Sequence, residues 1–237
     1  MIQAIRNFIV RRTFAYKLRN RAMNMFSSFE NFKAIRKKAE ENRVAEGREH
    51  KVLYFHKVDD PYSHLTVHYI EKFKNAYDVE FKPVLVGEED PAALHEPSLY
   101  TDYCLEDVKR IAPYYGVDFP GTSYPEKNLV KKANSILSSV SSEEFASLAK
   151  TVSHALWSAD SAKLEELETT YKTSEEEVLE NLKKGNEIRN NCDYYFGSAF
   201  YYEKELYWGV DRLNHLEDRL TELGVNKSSD NEPVCLL

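Results

Sequence analysis

The stretch Lys51 to Ser63, KVLYFHKVDDPYS, constrains the fold more than any other part of this chain. Val52, Leu53, Tyr54 and Phe55 form a short apolar run without alternation, the pattern of a strand covered on both faces. Such a strand belongs inside an α/β sheet. A few residues later Asp60 precedes Pro61, an N-cap that can accept orphan amides and a first helical residue with no amide to lose. A buried strand, a short loop and a helix start therefore follow one another directly.

The spacing of apolar residues predicts a helix over 61–76 and a strand over 79–86 that contains Pro83, which suits a sheet edge. Residues 87–98 read as a loop. From there to Asn191 the pattern is helical, with segments at 106–115, 125–140, 142–158, 161–171 and 174–190, and with Gly116 and Gly185 as stops or weak points. Two short strands, 199–202 and 205–208, read as an antiparallel pair. Asp211 is then the expected N-cap of a closing helix over 212–223, ended by Gly224. The tail, 225–237, is rich in Ser, Asn and Asp and is expected to be disordered.

Charge divides the chain. The net charge of the 237 residues is −7, yet residues 1–50 carry twelve Lys or Arg against five Glu, a balance of +7. The first 29 residues hold six basic residues and no acidic one. Ile2, Ile5, Phe8 and Ile9 lie at helical spacing among arginines and predict an amphipathic basic helix. Ser27 and Glu30 then form a capping box, and Phe29, Phe32 and Ile35 continue an apolar seam. Three partners are open for this arm: the rest of the protein, a second subunit in a homodimer, or a membrane surface. No apolar run approaches the roughly 18 residues needed to cross a bilayer. Nucleic acid is not an expected partner, because the aromatic regions carry net negative charge. Cys104, Cys192 and Cys235 are widely spaced without a C-x-x-C, which argues against a disulfide framework or a zinc site and fits the cytoplasm.

The Asp60-Pro61-Tyr62-Ser63 junction resembles the active-site helix start of the DsbA-like branch of the thioredoxin superfamily. That branch includes 2-hydroxychromene-2-carboxylate isomerases and kappa-class glutathione transferases. A second stretch, Glu205 to Leu213 (ELYWGVDRL), is similar to the family's last strand and last helix start. The resemblance covers about residues 50–224. It implies an α/β, thioredoxin-like fold with an inserted all-helical domain, preceded here by the N-terminal helical arm. The segments are then 1–49 (arm), 50–98 (first half of the core), 99–191 (helical insertion), 192–224 (second half) and 225–237 (tail). It further implies a small organic substrate and glutathione as thiol cofactor.

Redox relatives carry Cys-Pro-x-Cys at this helix start, and the isomerases and transferases carry Ser-Pro-x-x. An aspartate at the first position excludes thiol–disulfide exchange there. It also handicaps thiolate activation, because a fixed carboxylate competes for the same amides and repels an incoming thiolate. Asp60 is therefore either a plain N-cap or a general acid or base. Ser63 stands at the second cysteine position, and His56, at the end of the central strand, is expected to face the cleft. Pro61, Gly197, Ser198 and Asp211 are the positions that the resemblance assigns to cofactor binding. Ser198 occupies the place of the family's cis-proline, so its peptide bond is expected to be trans. Asp211 matches the acidic residue that holds the γ-glutamyl end of glutathione. His64 and His68, one turn apart and on the face of Asp60, have metal-ligand spacing, but partly buried structural histidines are the expected reading. Two functions stay open: a glutathione-dependent isomerase or transferase, and a non-catalytic thioredoxin-like binding or scaffold protein.

Overall fold

The computed structural model describes residues 14–87, 94, 96–228 and 233–234. The chain divides into two compact units, Met1–Glu49 and His50–Leu237. The helix predicted around Ile2–Ile9 lies outside the described residues. The first unit contains helices α1 (Phe14–Phe26) and α2 (Phe29–Ala45). The cap of α2 differs from the expected one by a residue. Ser28 accepts from the Asn31 amide, while Ser27 donates its hydroxyl to the Met23 carbonyl. Adjacent serines are equivalent in sequence, and the end of α1 decides between them.

The second unit is built on a four-stranded sheet of β1 (Lys51–His56), β2 (Glu80–Leu85), β3 (Ala199–Tyr202) and β4 (Glu205–Trp208), in the order β2-β1-β3-β4. β1 runs parallel to β2 and antiparallel to β3, and β3 pairs antiparallel with β4. Pro83 lies in the edge strand opposite Tyr54, where its missing amide is tolerated. Helix α3 (Pro61–Ala76) connects β1 to β2 and buries Leu65, Val67, Ile70 and Phe73. Successive strand side chains alternate between faces. Val52 and Tyr54 join the main core with α3, whereas Phe55 joins Val84, Val86 and Ala199 on the opposite face. Covering on both faces is why β1 reads as an uninterrupted apolar run.

Between β2 and β3 lie α4 (Pro97–Ile111), α5 (Lys127–Ser138), α6 (Phe145–Trp157), α7 (Ser161–Glu168) and α8 (Glu175–Asn190). α4 begins at Pro97, well before the expected 106, because the fixed φ of proline suits a first helical position as well as a loop. A short 3-10 turn, Ala112–Tyr115, ends at Gly116 with φ +62°, the stop that the sequence predicted. Gly185 is no stop: α8 runs through it to Asn190. A Cβ at Gly185 would lie 1.8 Å from the Leu85 carbonyl oxygen, so hydrogen there is what lets α8 rest on β2.

The closing helix α9 (Leu213–Glu222) is preceded by a 3-10 turn, Val210–Arg212. Asp211 sits inside that turn and makes no capping bond, which corrects the N-cap expectation. The tail also departs from expectation where it is described. The Lys227 amide bonds the Ala76 carbonyl, Val225 is buried, and Val234 is buried with its amide on Glu217 Oε1 at 2.7 Å. Two isolated valines in a polar segment are enough to anchor it to the core.

Candidate functional site

Asp60 caps α3 as the sequence indicates, and its geometry is specific. Oδ1 accepts from the Tyr62 amide at 3.3 Å. Oδ2 accepts from the Ser63 amide at 2.9 Å and from the Ser63 hydroxyl at 2.8 Å. Ser63 is fully buried, so this hydroxyl serves the carboxylate rather than a ligand. The positive end of α3 is thus already occupied by an anion belonging to the protein.

The loop before β3 closes over this carboxylate. A Cβ at Gly197 would stand 2.8 Å from Lys57 Cβ and 3.3 Å from Asp60 Oδ2, so only glycine lets the loop approach. Ser198 is fully buried with φ +51°, a left-handed conformation, and no described peptide bond is cis. Its hydroxyl is 2.8 Å from Thr66 Oγ1 on α3, and its carbonyl accepts the Gly209 amide at 2.7 Å. Proline, with φ near −65°, could not adopt this conformation. A hydroxyl pair holds the loop in this conformation.

Trp208 lines two clefts. The smaller, about 60 Å³, is bounded by Lys57, Asp60, Pro61, Cys104, Phe196 and Gly197. Over it Phe196 stacks between Tyr100 and Trp208, with ring centroids 5.3 and 5.2 Å away. The larger, about 510 Å³, is lined by Tyr62, Tyr103, Asp107, Tyr115, Asp211 and Arg212. Tyr62 donates its hydroxyl to Asp107 Oδ2 at 2.8 Å, tying α3 to α4. Burial and then the Asp107 bond hold that hydroxyl protonated, far above the usual phenol range. Asp211 and Arg212 are paired at 2.8 Å and about half exposed at the cleft wall.

Sequence reasoning missed Lys57, Tyr100 as a stacking partner, Cys104, Phe196 and Arg212. Tyr100, Tyr103, Cys104, Asp107 and Ile111 have helical spacing, a signal lost when the helix is started at Glu106. Cys104 does bring sulfur to the smaller cleft, but burial, opposed by a bond to Tyr100 and reinforced by Asp60, raises its thiol to about 11. It is a neutral thiol there, without the thiolate character of a nucleophile.

His56 does not face a cleft, contrary to expectation. Strand alternation puts it on the face of Tyr54, buried, edge-on to Phe145 and 3.2 Å from the Tyr54 hydroxyl. Burial, then the neighbouring His64, lowers its pKa from 6.5 to about 3. His64 is likewise structural: Nδ1 is 2.9 Å from Ser153 Oγ, and Nε2 is 2.8 Å from the Asp118 carbonyl. Among the described residues no group of three or more His, Cys, Asp or Glu is placed to hold a metal ion.

His56 gives the protein a pH signature. Between pH 6.5 and about 3 the unfolded chain binds a proton that the folded chain refuses. Stability is then full above pH 6.5 and falls with acidification, by about 1.4 kcal/mol per pH unit. Urea unfolding at pH 5 should show about 2 kcal/mol less stability than at pH 7. His56 alone accounts for that figure, and burial lowers His64 and His68 as well, so His56→Gln should reduce the slope and leave their share; an unchanged slope would assign all of it to other groups.

A four-stranded β2-β1-β3-β4 sheet with the helices between β2 and β3 and a capped helix start at the end of β1 is the thioredoxin-like fold with a helical insertion. A solved structure of 2-hydroxychromene-2-carboxylate isomerase, in selenomethionine form, shares it. The match has a TM-score of 0.53 and 17% sequence identity, and it covers 73% of this chain and 96% of the isomerase chain. The likeness is one of fold. No protein-family model matches the chain, and no curated protein matches it. Among the described residues no helix is long and apolar enough to cross a membrane.

Proposed function

We propose that the protein handles a small, planar organic molecule in the manner of a glutathione-dependent isomerase or transferase, with a carboxylate standing where its relatives keep serine. The observation that carries this reading is the position of Trp208 between two clefts. One holds Asp60 and Gly197, the other Asp211 and Arg212. A thiol-bearing ligand with a zwitterionic amino-acid end finds a polar site for each end across this one ring. The tyrosines around the larger cleft suit an aromatic substrate. The free thiols of Cys104 and Cys192 fit a reducing compartment such as the cytoplasm.

A specific observation favours the second reading, a non-catalytic binding protein. Asp60 already accepts three hydrogen bonds at the helix start, which leaves the amides of Tyr62 and Ser63 engaged. Calorimetric titration with glutathione separates the two. The first reading expects saturable binding with Kd of about 1 mM, weakened about tenfold by Asp211→Ala. An absence of heat from correctly folded protein at about ten times that concentration would leave the binding-protein reading. Given binding, 2-hydroxychromene-2-carboxylate is the first substrate to assay.

A further inference from the structure

We propose that the elbow between α1 and α2 is a docking surface for an anionic lipid bilayer. The inference rests on the Met1–Glu49 unit alone and is independent of the cleft.

The elbow is locally ordered. Ser28 caps α2, its hydroxyl donates to the Met25 carbonyl, and Asn31 Nδ2 reaches the Phe26 carbonyl at 2.8 Å. Yet α2 buries none of its residues. A 17-residue helix in water is marginal without an apolar face packed on something. Exposed apolar side chains are densest at the elbow, with Met23, Met25, Phe26, Phe29 and Phe32, Met25 and Phe26 exposed by 70% and 72%; Leu18, Ile35 and Val44 are exposed farther along the two helices. Isolated exposed apolar residues are ordinary, whereas a contiguous group marks a contact surface.

Charge identifies the partner. Residues 14–45 carry eight Lys or Arg against three Glu, a balance of +5, and the first of those acids is Glu30. Lys33 Nζ lies 4.5 Å from the Phe29 ring centroid, and Arg36 Cζ lies 4.2 Å from that of Phe32. Each charged head thus lies over an aromatic ring, so that cation and ring are offered together at one surface, a pairing suited to an interface where phosphates take the cation and the acyl boundary takes the ring. An acidic protein surface would meet the positive charge but not the aromatic group. A negatively charged bilayer interface meets both requirements.

The test is flotation of the full-length protein with phosphatidylcholine vesicles, with and without about one third phosphatidylserine. Binding is expected on the phosphatidylserine vesicles only and should weaken as salt rises from about 0.1 to 0.5 M. The combined Phe26→Ser, Phe29→Ser and Phe32→Ser variant should bind at least about tenfold more weakly. Lys33→Glu with Arg36→Glu should lose the lipid selectivity while circular dichroism stays unchanged. No binding, or binding indifferent to lipid charge or to the three phenylalanines, would overturn the proposal. So would a lipid-free dimer, seen by light scattering, that the same phenylalanine substitutions dissociate.

Discussion

Gly185→Ala is expected to be among the most damaging single substitutions in this protein. Alanine is ordinarily the better helix former, by about 1 kcal/mol, so a surface site would gain stability from the exchange. Here the added methyl would lie 1.8 Å from the Leu85 carbonyl oxygen and 3.3 Å from Val84 Cγ1. The obstacle is backbone, which no rotamer change can relieve. α8 must lift off β2, and its lift opens the second core around Phe55, Val84 and Ala199. A loss of about 3 kcal/mol or more follows from overpacking combined with lost burial. Thermal unfolding followed by circular dichroism would read it directly, and a neutral or stabilising result would mean that α8 is not seated as described.

The second large effect belongs to Asp60, and two substitutions divide its roles. Asp60→Ala leaves the Tyr62 and Ser63 amides without their cap and the buried Ser63 hydroxyl without its acceptor. The expected cost is about 2 kcal/mol in urea unfolding. Asp60→Ser keeps a capping oxygen and removes the charge. Stability should stay within about 1 kcal/mol of the parent, and glutathione affinity should rise about tenfold as one repulsive charge beside the thiolate disappears. If Asp60→Ser leaves glutathione affinity unchanged, the carboxylate is not what limits thiol binding, and the cleft at Pro61 is not the thiol site.

What could be read from the sequence was what is decided locally. Asp60 and Pro61 fix the start of α3, and the apolar runs 199–202 and 205–208 mark the β3–β4 pair, although Glu203 and Lys204 between them both take positive φ, which their residue types do not signal. These elements fall where the residues predict. The misses are non-local. Pro97 suits a loop and a first helical turn equally, so the sequence does not show the α4 face that carries Cys104 to the smaller cleft and Asp107 to the larger. Gly185 looks like a weak point until a strand carbonyl is placed beneath it. His56 ends the strand that leads to the cleft, but strand alternation puts its ring with Tyr54 in the core. Asp211 has the chemistry of a cap, but the chain tightens into a 3-10 turn there and leaves its carboxylate to Arg212.

The carboxylate at the start of α3 also decides how the protein meets oxidants. Peroxide and disulfides are attacked by thiolates, and the cleft offers none: one sulfur stays protonated in the interior, and the helix start carries oxygen chemistry that does not change oxidation state. The cleft therefore keeps the same charge in a stressed cell as in a resting one. Redox poise then acts on the cleft through the thiol or disulfide state of whatever it binds, and not through the protein's own groups there.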